Sequence, residues 1–174
     1  MISDELRTLI GRVSGQDLLM VDEARTLEIV GKEATLDAVM YVQYCLTPEG
    51  YGASGIGMLG YESLREYTLT SHWSIIHPFG LYIIASDVCG NAVVVDCRSG
   101  HVYYAHHESF CEAEDPIFCP PSRQDYKNPA AWHYVHGYSR ENVLRGMLPL
   151  ETDLGRFLKQ CLEGLLEEEL FELG

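Results

Sequence analysis

Six cysteines and seven histidines are the side chains best suited to nucleophilic or metal chemistry in this sequence. Five of them, His101, His106, His107, Cys111 and Cys119, fall in one stretch. Zinc sites favour compact ligand pairs such as C-x2-C or H-x3-H. Here no two cysteines stand as C-x-x-C, and only His133-x-x-His136 comes near such spacing. On a strand, His101 and His107 would share one face and His106 the other, which splits the cluster. The spacing therefore reads as edge-strand or interface histidines rather than metal ligands. A Cys–His nucleophile pair, such as Cys89 in a turn with His101 or His107, would need an electropositive setting to hold a thiolate.

The charge balance opposes that setting. There are 26 acidic against 12 basic side chains, a formal net charge of −14. The nucleophile elbow, the phosphate-binding loop with its lysine, the H-E-x-x-H zinc motif, the calcium loop and the dinucleotide fingerprint have no counterpart in the sequence. The expectation is no catalytic residue, no cofactor and no metal. Phosphate-backbone binding is disfavoured because it depends on Lys and Arg, as is an anionic membrane surface, whereas a basic partner protein is electrostatically welcome. Tyr103 and Tyr104, with Trp132-His133-Tyr134, could stack bases. They lack the basic groove that such stacking accompanies, and beside Glu108, Glu112, Glu114 and Asp115 they suit a protein–protein contact better.

The elements that must position these residues follow from periodicity. At 174 residues the chain fits one domain, 1–174. Leu6, Leu9, Ile10 and Val13 share a helical face after Ser3, a candidate N-cap, and Ser14-Gly15 ends that helix. Residues 16–30 read as a second helix. Residues 35–46 suit a strand by their β-branched and aromatic content, yet Leu36, Val39, Met40 and Gln43 also share a helical face. Glycines 50, 52, 55, 57 and 60 read as a flexible stretch. The runs 81–86, 91–96 and 101–107 are rich in Val, Ile and Tyr, and the short connections between them each end in Gly. Connections that short make an antiparallel meander, because parallel strands need long crossovers. A long loop is expected over 110–130, where prolines collect, and then a helix over 139–148 capped by Ser139. An amphipathic helix from Leu150 to Leu170, capped by Thr152, comes last, with Glu167-Glu168-Glu169 as a solvated face. The sum is an α+β domain: a central, largely antiparallel sheet with flanking N- and C-terminal helices.

The six cysteines are widely and irregularly spaced, which favours reduced thiols over a disulfide framework. The opening residues lack a basic segment followed by an apolar one, and no run approaches a membrane-spanning length. A cytoplasmic protein is the expectation. Val93-Val94-Val95 suits an inner strand or a dimer edge, so a homodimer stays open.

The centre of the chain carries a more specific pattern. GIGMLGYESLREYT (55–68) and PFGLYIIASDVCGNAVVVDCRSGHVYYAHHES (78–109) resemble the SUKH superfamily, which includes many bacterial immunity proteins and fungal cell-wall synthesis regulators. The Ile84-Ala85-Ser86-Asp87-Val88-Cys89-Gly90-Asn91 turn carries most of the likeness. It departs from the family where Val88 and Cys89 stand in place of further glycines. The resemblance implies a mixed α+β domain, a short helix over 58–67 and a helix rather than a strand over 35–46. It also implies a non-enzymatic role: binding and neutralising a cognate toxin, or acting as an interaction and regulatory scaffold. Nuclease toxins tend to be basic where they hold nucleic acid, so an acidic inhibitor is steered towards them. Asp87, Glu108, Glu112, Glu114 and Asp115 are the candidate partner contacts, because they fall at turns and loops beside the sheet.

Overall fold

In the computed structural model, residues 2–110, 117–119 and 128–166 are described. The first helix, α1 (Asp4–Ser14), begins where Ser3 accepts a hydrogen bond from the Leu6 N–H, and it ends at Gly15 in the left-handed conformation. The second, α2, spans only Glu23–Val30, which shortens the expected 16–30 helix. Asp22 caps it by accepting from the Arg25 N–H. Residues 16–22 are not helical; the N–H groups of Leu19 and Val21 donate to the carbonyls of Leu46 and Gln43 at 2.8 and 3.0 Å. The Gln43 carbonyl lies in the last turn of α3 (Leu36–Tyr44), where a helix leaves acceptors without internal partners, and that of Leu46 follows just beyond it. Local pattern yields there to acceptors supplied by a distant segment. Residues 35–46 are thus a helix, started by the Thr35 side chain.

The glycine-rich stretch is a tight hairpin, not a flexible segment: β1 (Tyr51–Ala53) pairs with β2 (Ile56–Met58). Ser54 and Gly55 both take positive φ, +49° and +78°, the conformation that lets a two-residue turn match strand twist. Gly60 permits a close pass, since a Cβ there would sit 2.6 Å from the Glu49 carbonyl carbon. The next helix, α4 (Tyr61–Leu69), starts after Met58 because Met58 is paired in β2 opposite Ala85. A run of 3-10 turns over His72–Phe79 leads into the meander.

That meander has three strands, β3 (Leu81–Ser86), β4 (Ala92–Asp96) and β5 (Val102–Ala105), each antiparallel to its neighbour. The third strand stops before His106, so the expected strand reading of 101–107 does not extend to His106 and His107. Within the 110–130 stretch, β6 (Ile117–Cys119) pairs with β7 (His133–Val135) in a separate two-stranded sheet. Helix α5 covers only Arg140–Arg145, and Met147 and Leu148 belong instead to β8 (Met147–Glu151), which pairs with β5. Gly146 makes the break. A Cβ there would lie 2.6 Å from Ile117 Cγ2 and 2.9 Å from Phe110 Cζ, so the chain is pressed against neighbours that a bulkier residue would displace. The last helix, α6 (Leu154–Leu162), is capped by Asp153 rather than Thr152, and Leu150 lies in β8. Gly164 takes φ +68° just beyond it. The expected stripe beyond residue 166 lies outside the described residues.

The large sheet has the order β1-β2-β3-β4-β5-β8, giving an α+β fold with a wholly antiparallel central sheet and flanking helices. Every residue of β4 is buried. Alternate side chains point to opposite faces of a strand, so both faces are covered. Trp73 and Phe157 are fully buried in the same hydrophobic core, and cutting either to Ala would cost about 3–5 kcal/mol.

Candidate functional site

The turn between β3 and β4 is built around one carboxylate. Asp87 Oδ1 accepts from the backbone N–H groups of Cys89 and Asn91 at 2.9 and 3.0 Å. Its Oδ2 accepts from the Asn91 side-chain amide at 2.9 Å and from the Tyr104 hydroxyl by a short hydrogen bond. Gly90, at φ +86°, supplies the left-handed step that closes the turn. Asn91 is fully buried, and its amide orientation follows from its neighbours. The NH2 group faces Asp87 and the Tyr104 oxygen. The carbonyl accepts from the His107 backbone N–H at 3.0 Å and from its ring at 2.9 Å. Since Asn91 Oδ1 can only accept, neutral His107 carries its proton on Nδ1 and leaves Nε2 as the basic nitrogen. Burial, then the bond to Asp87 and its charge, push the Tyr104 hydroxyl above its ordinary value; it stays a donor.

Two further imidazoles adjoin this network. The His106 ring stacks on that of His107 with centroids 4.5 Å apart, and Trp132 meets His106 edge-on at 5.1 Å. The His106 Nδ1 accepts from the Glu108 N–H at 3.2 Å, which fixes that nitrogen as unprotonated and starts the 3-10 turn His107–Ser109. Burial first, and then the charge of His107, lower the pKa of His106. The same two causes lower that of His72. Chemically this is a set of oriented imidazoles beside a hydrogen-bonded carboxylate. Among the described residues no group of three or more His, Cys, Asp or Glu side chains could hold a metal ion.

The tip of the turn is the outward part. Val88 is 99% exposed and Cys89 is exposed beside it. Below them Asp87 spends both carboxylate oxygens within the chain, so this candidate contact residue acts as the frame of the tip. Glu108 is exposed at the neighbouring 3-10 turn; Glu112, Glu114 and Asp115 lie outside the described residues. Pattern reading missed Asn91, Tyr104 and Val88 as members of the site. The Asp-x-x-Gly-Asn spacing was the available signal, since Asp side chains close turns onto nearby N–H groups.

The Cys and His candidates are dispersed. Cys119 is buried in β6, opposite the exposed His133 of β7, His136 rests against Tyr134, and Cys111 lies outside the described residues. Cys45, Cys89, Cys97, Cys119 and Cys161 are all free thiols. Burial pushes Cys45 and Cys97 up to about 12, which keeps them protonated and unreactive.

A second carboxylate sits at the opposite end of β4. Asp96, whose side chain is 2% exposed, receives Arg140 Nη2 at 2.5 Å. It also accepts from the Ser99 hydroxyl at 2.6 Å and the Arg98 N–H at 3.0 Å. Arg140 Nη1 donates to the Phe79 carbonyl at 2.6 Å.

No family model, no curated protein and no solved structure matches this chain. Among the described residues, no helix is long and apolar enough to cross a membrane.

Proposed function

We propose that the chain is an immunity protein of the SUKH type, which binds a cognate toxin and neutralises it by covering the surface the toxin works with. The observation that carries this reading is the β3–β4 tip: a fully exposed Val88 presented on a turn whose every anchoring group is already hydrogen-bonded. A rigid apolar protrusion loses little entropy on docking and can act as an anchor in a partner's pocket. Nothing in that role requires chemistry from the histidines. The charge of −14 adds long-range attraction for a basic partner, such as a nuclease with a cationic substrate groove.

Co-expression with the protein encoded beside this gene tests the proposal. The expected result is co-purification, rescue of growth, and a complex that weakens as salt rises. Neither binding nor rescue would discard the immunity reading in favour of a regulatory scaffold with several weaker partners.

A further inference from the structure

Helix α3 is apolar on two opposite faces; one is buried in the core, and the other, through Val39 and Met40, packs against it only in part. Ala38, Tyr41, Val42 and Cys45 are buried. Half a turn away, Leu36, Val39, Met40 and Gln43 form a second row at helical spacing. Leu36 is 69% exposed, and Val39, Met40 and Gln43 are half-buried. The strand-like segment before α2 lengthens this row. Its N–H groups at Val21 and Leu19 are fastened to the Gln43 carbonyl in the last turn of α3 and to that of Leu46 just beyond it, and between these two anchors Met20 stands 83% exposed while Val21 turns inward. An apolar helix face ordinarily seeks cover, and methionines suit a surface that adapts to an incoming apolar side chain.

The charges bordering the row indicate what covers it. Asp17, Asp22 and Glu23 are exposed around Met20, and the nearest cation in that segment, Arg25, is held by Asp22 at 3.3 Å. At the Leu36 end, Glu33 pairs with Arg98 at 3.1 Å and Lys32 is exposed. Two copies of a chain at −14 would bring acidic borders together, so a second copy is a poor occupant. We infer that this face is a docking surface for a cationic amphipathic segment of a partner protein. The apolar side of that segment would cover Leu36, Met40 and Met20, with its positive charges towards Asp17 and Glu23. The surface is separate from the β3–β4 tip. Thr35 is bonded to the Cys97 carbonyl at 2.7 Å, which places the start of α3 at the far end of β4.

The test uses the intact chain and two synthetic probes, a Lys/Leu amphipathic peptide and a Glu/Leu peptide of equal length. The Leu36→Glu/Met20→Glu double variant changes two exposed side chains, and Glu suits the first turn of a helix, so the fold should be retained; far-UV circular dichroism verifies this. The Lys/Leu peptide is expected to bind the parent chain, the Glu/Leu peptide to fail, and the double variant to bind the Lys/Leu peptide about tenfold more weakly or worse. The direction discriminates, because the variant is more acidic and purely ionic attraction would make it bind more tightly. Val88→Glu, at the other end of the sheet, should leave peptide binding unchanged. Unchanged or tighter binding by the double variant would overturn the inference. So would equal binding of the two peptides, binding of neither, or a parent dimer that the double variant converts to monomer in sedimentation.

Discussion

The two ends of the β3–β4 hairpin each hold a carboxylate, buried at Asp96 and half-buried at Asp87, and they satisfy it by opposite means. At one end Asp96 meets a full positive charge, Arg140, delivered from α5 across a sequence separation of 44 residues. At the other, Asp87 is satisfied by neutral donors alone: two backbone N–H groups, the Asn91 amide and the Tyr104 hydroxyl. The first arrangement is a long-range clamp that ties a helix to the sheet. The second is mostly local, and what it fixes is the outline of a protruding turn. Charge compensation here serves cohesion, while a dense set of neutral hydrogen bonds serves presentation.

Removing the clamp should have the largest effect. Arg140→Met leaves Asp96 buried and uncompensated and frees the Phe79 carbonyl, a loss of about 3 kcal/mol or more, read as a lower urea midpoint with the slope unchanged. Adding Asp96→Asn to that variant should recover a large part of the loss; no recovery would show that the two groups are not acting as a pair. At the other end Asn91→Leu strips an acceptor from His107 and a donor from Asp87, for about 2 kcal/mol. It should also loosen the tip, seen as faster amide exchange over 87–90. A smaller effect is expected on acidification. Burial lowers the folded-state pKa of His106 below its ordinary 6.5, so the unfolded chain binds the proton more readily. Stability should therefore fall as pH drops through 6.5 and level off below the folded value. His106→Phe should flatten that slope in a series of melting curves. The smallest change in stability, within about 0.5 kcal/mol, belongs to Val88→Ser, which removes an exposed side chain. If partner binding falls strongly while melting does not move, presentation and cohesion are separable; equal losses in both would erase the distinction.

The meander was legible in the sequence because its strands are runs of Val, Ile and Tyr with glycine-terminated connections, and these signals lie within a few residues of each other. Ser3 and Ser139 could be recognised as caps for the same reason. Elements fixed by distant contacts were not. The non-helical course of 16–22 depends on the carbonyls of Gln43 and Leu46. The switch from helix to strand at Gly146 depends on Ile117 and Phe110. Helical spacing over 143–148 is compatible with α5, but it carries no trace of the β5 edge that claims Met147. At the site, the Asp87 turn was visible as a pattern while its role was not. A carboxylate offered for contact and one consumed by its own turn look identical until Tyr104 and Asn91 are placed beside it. The Asp96–Arg140 pair left no local signal at all.

The strand order has a consequence for how the chain reaches this state. Strands β1 to β5 join the sheet in sequence order, each beside its predecessor, but β8 docks on β5 only after the excursion through residues 106–146. The hairpins can zip up from short turns, whereas the final edge waits on the closure of a long loop, an entropic cost that grows only logarithmically with length. Doubling that excursion would add about 0.6 kcal/mol of closure entropy. In refolding, the β3–β4–β5 amides should gain protection first and those of Met147–Glu151 last, making the seating of β8 the slow step of assembly.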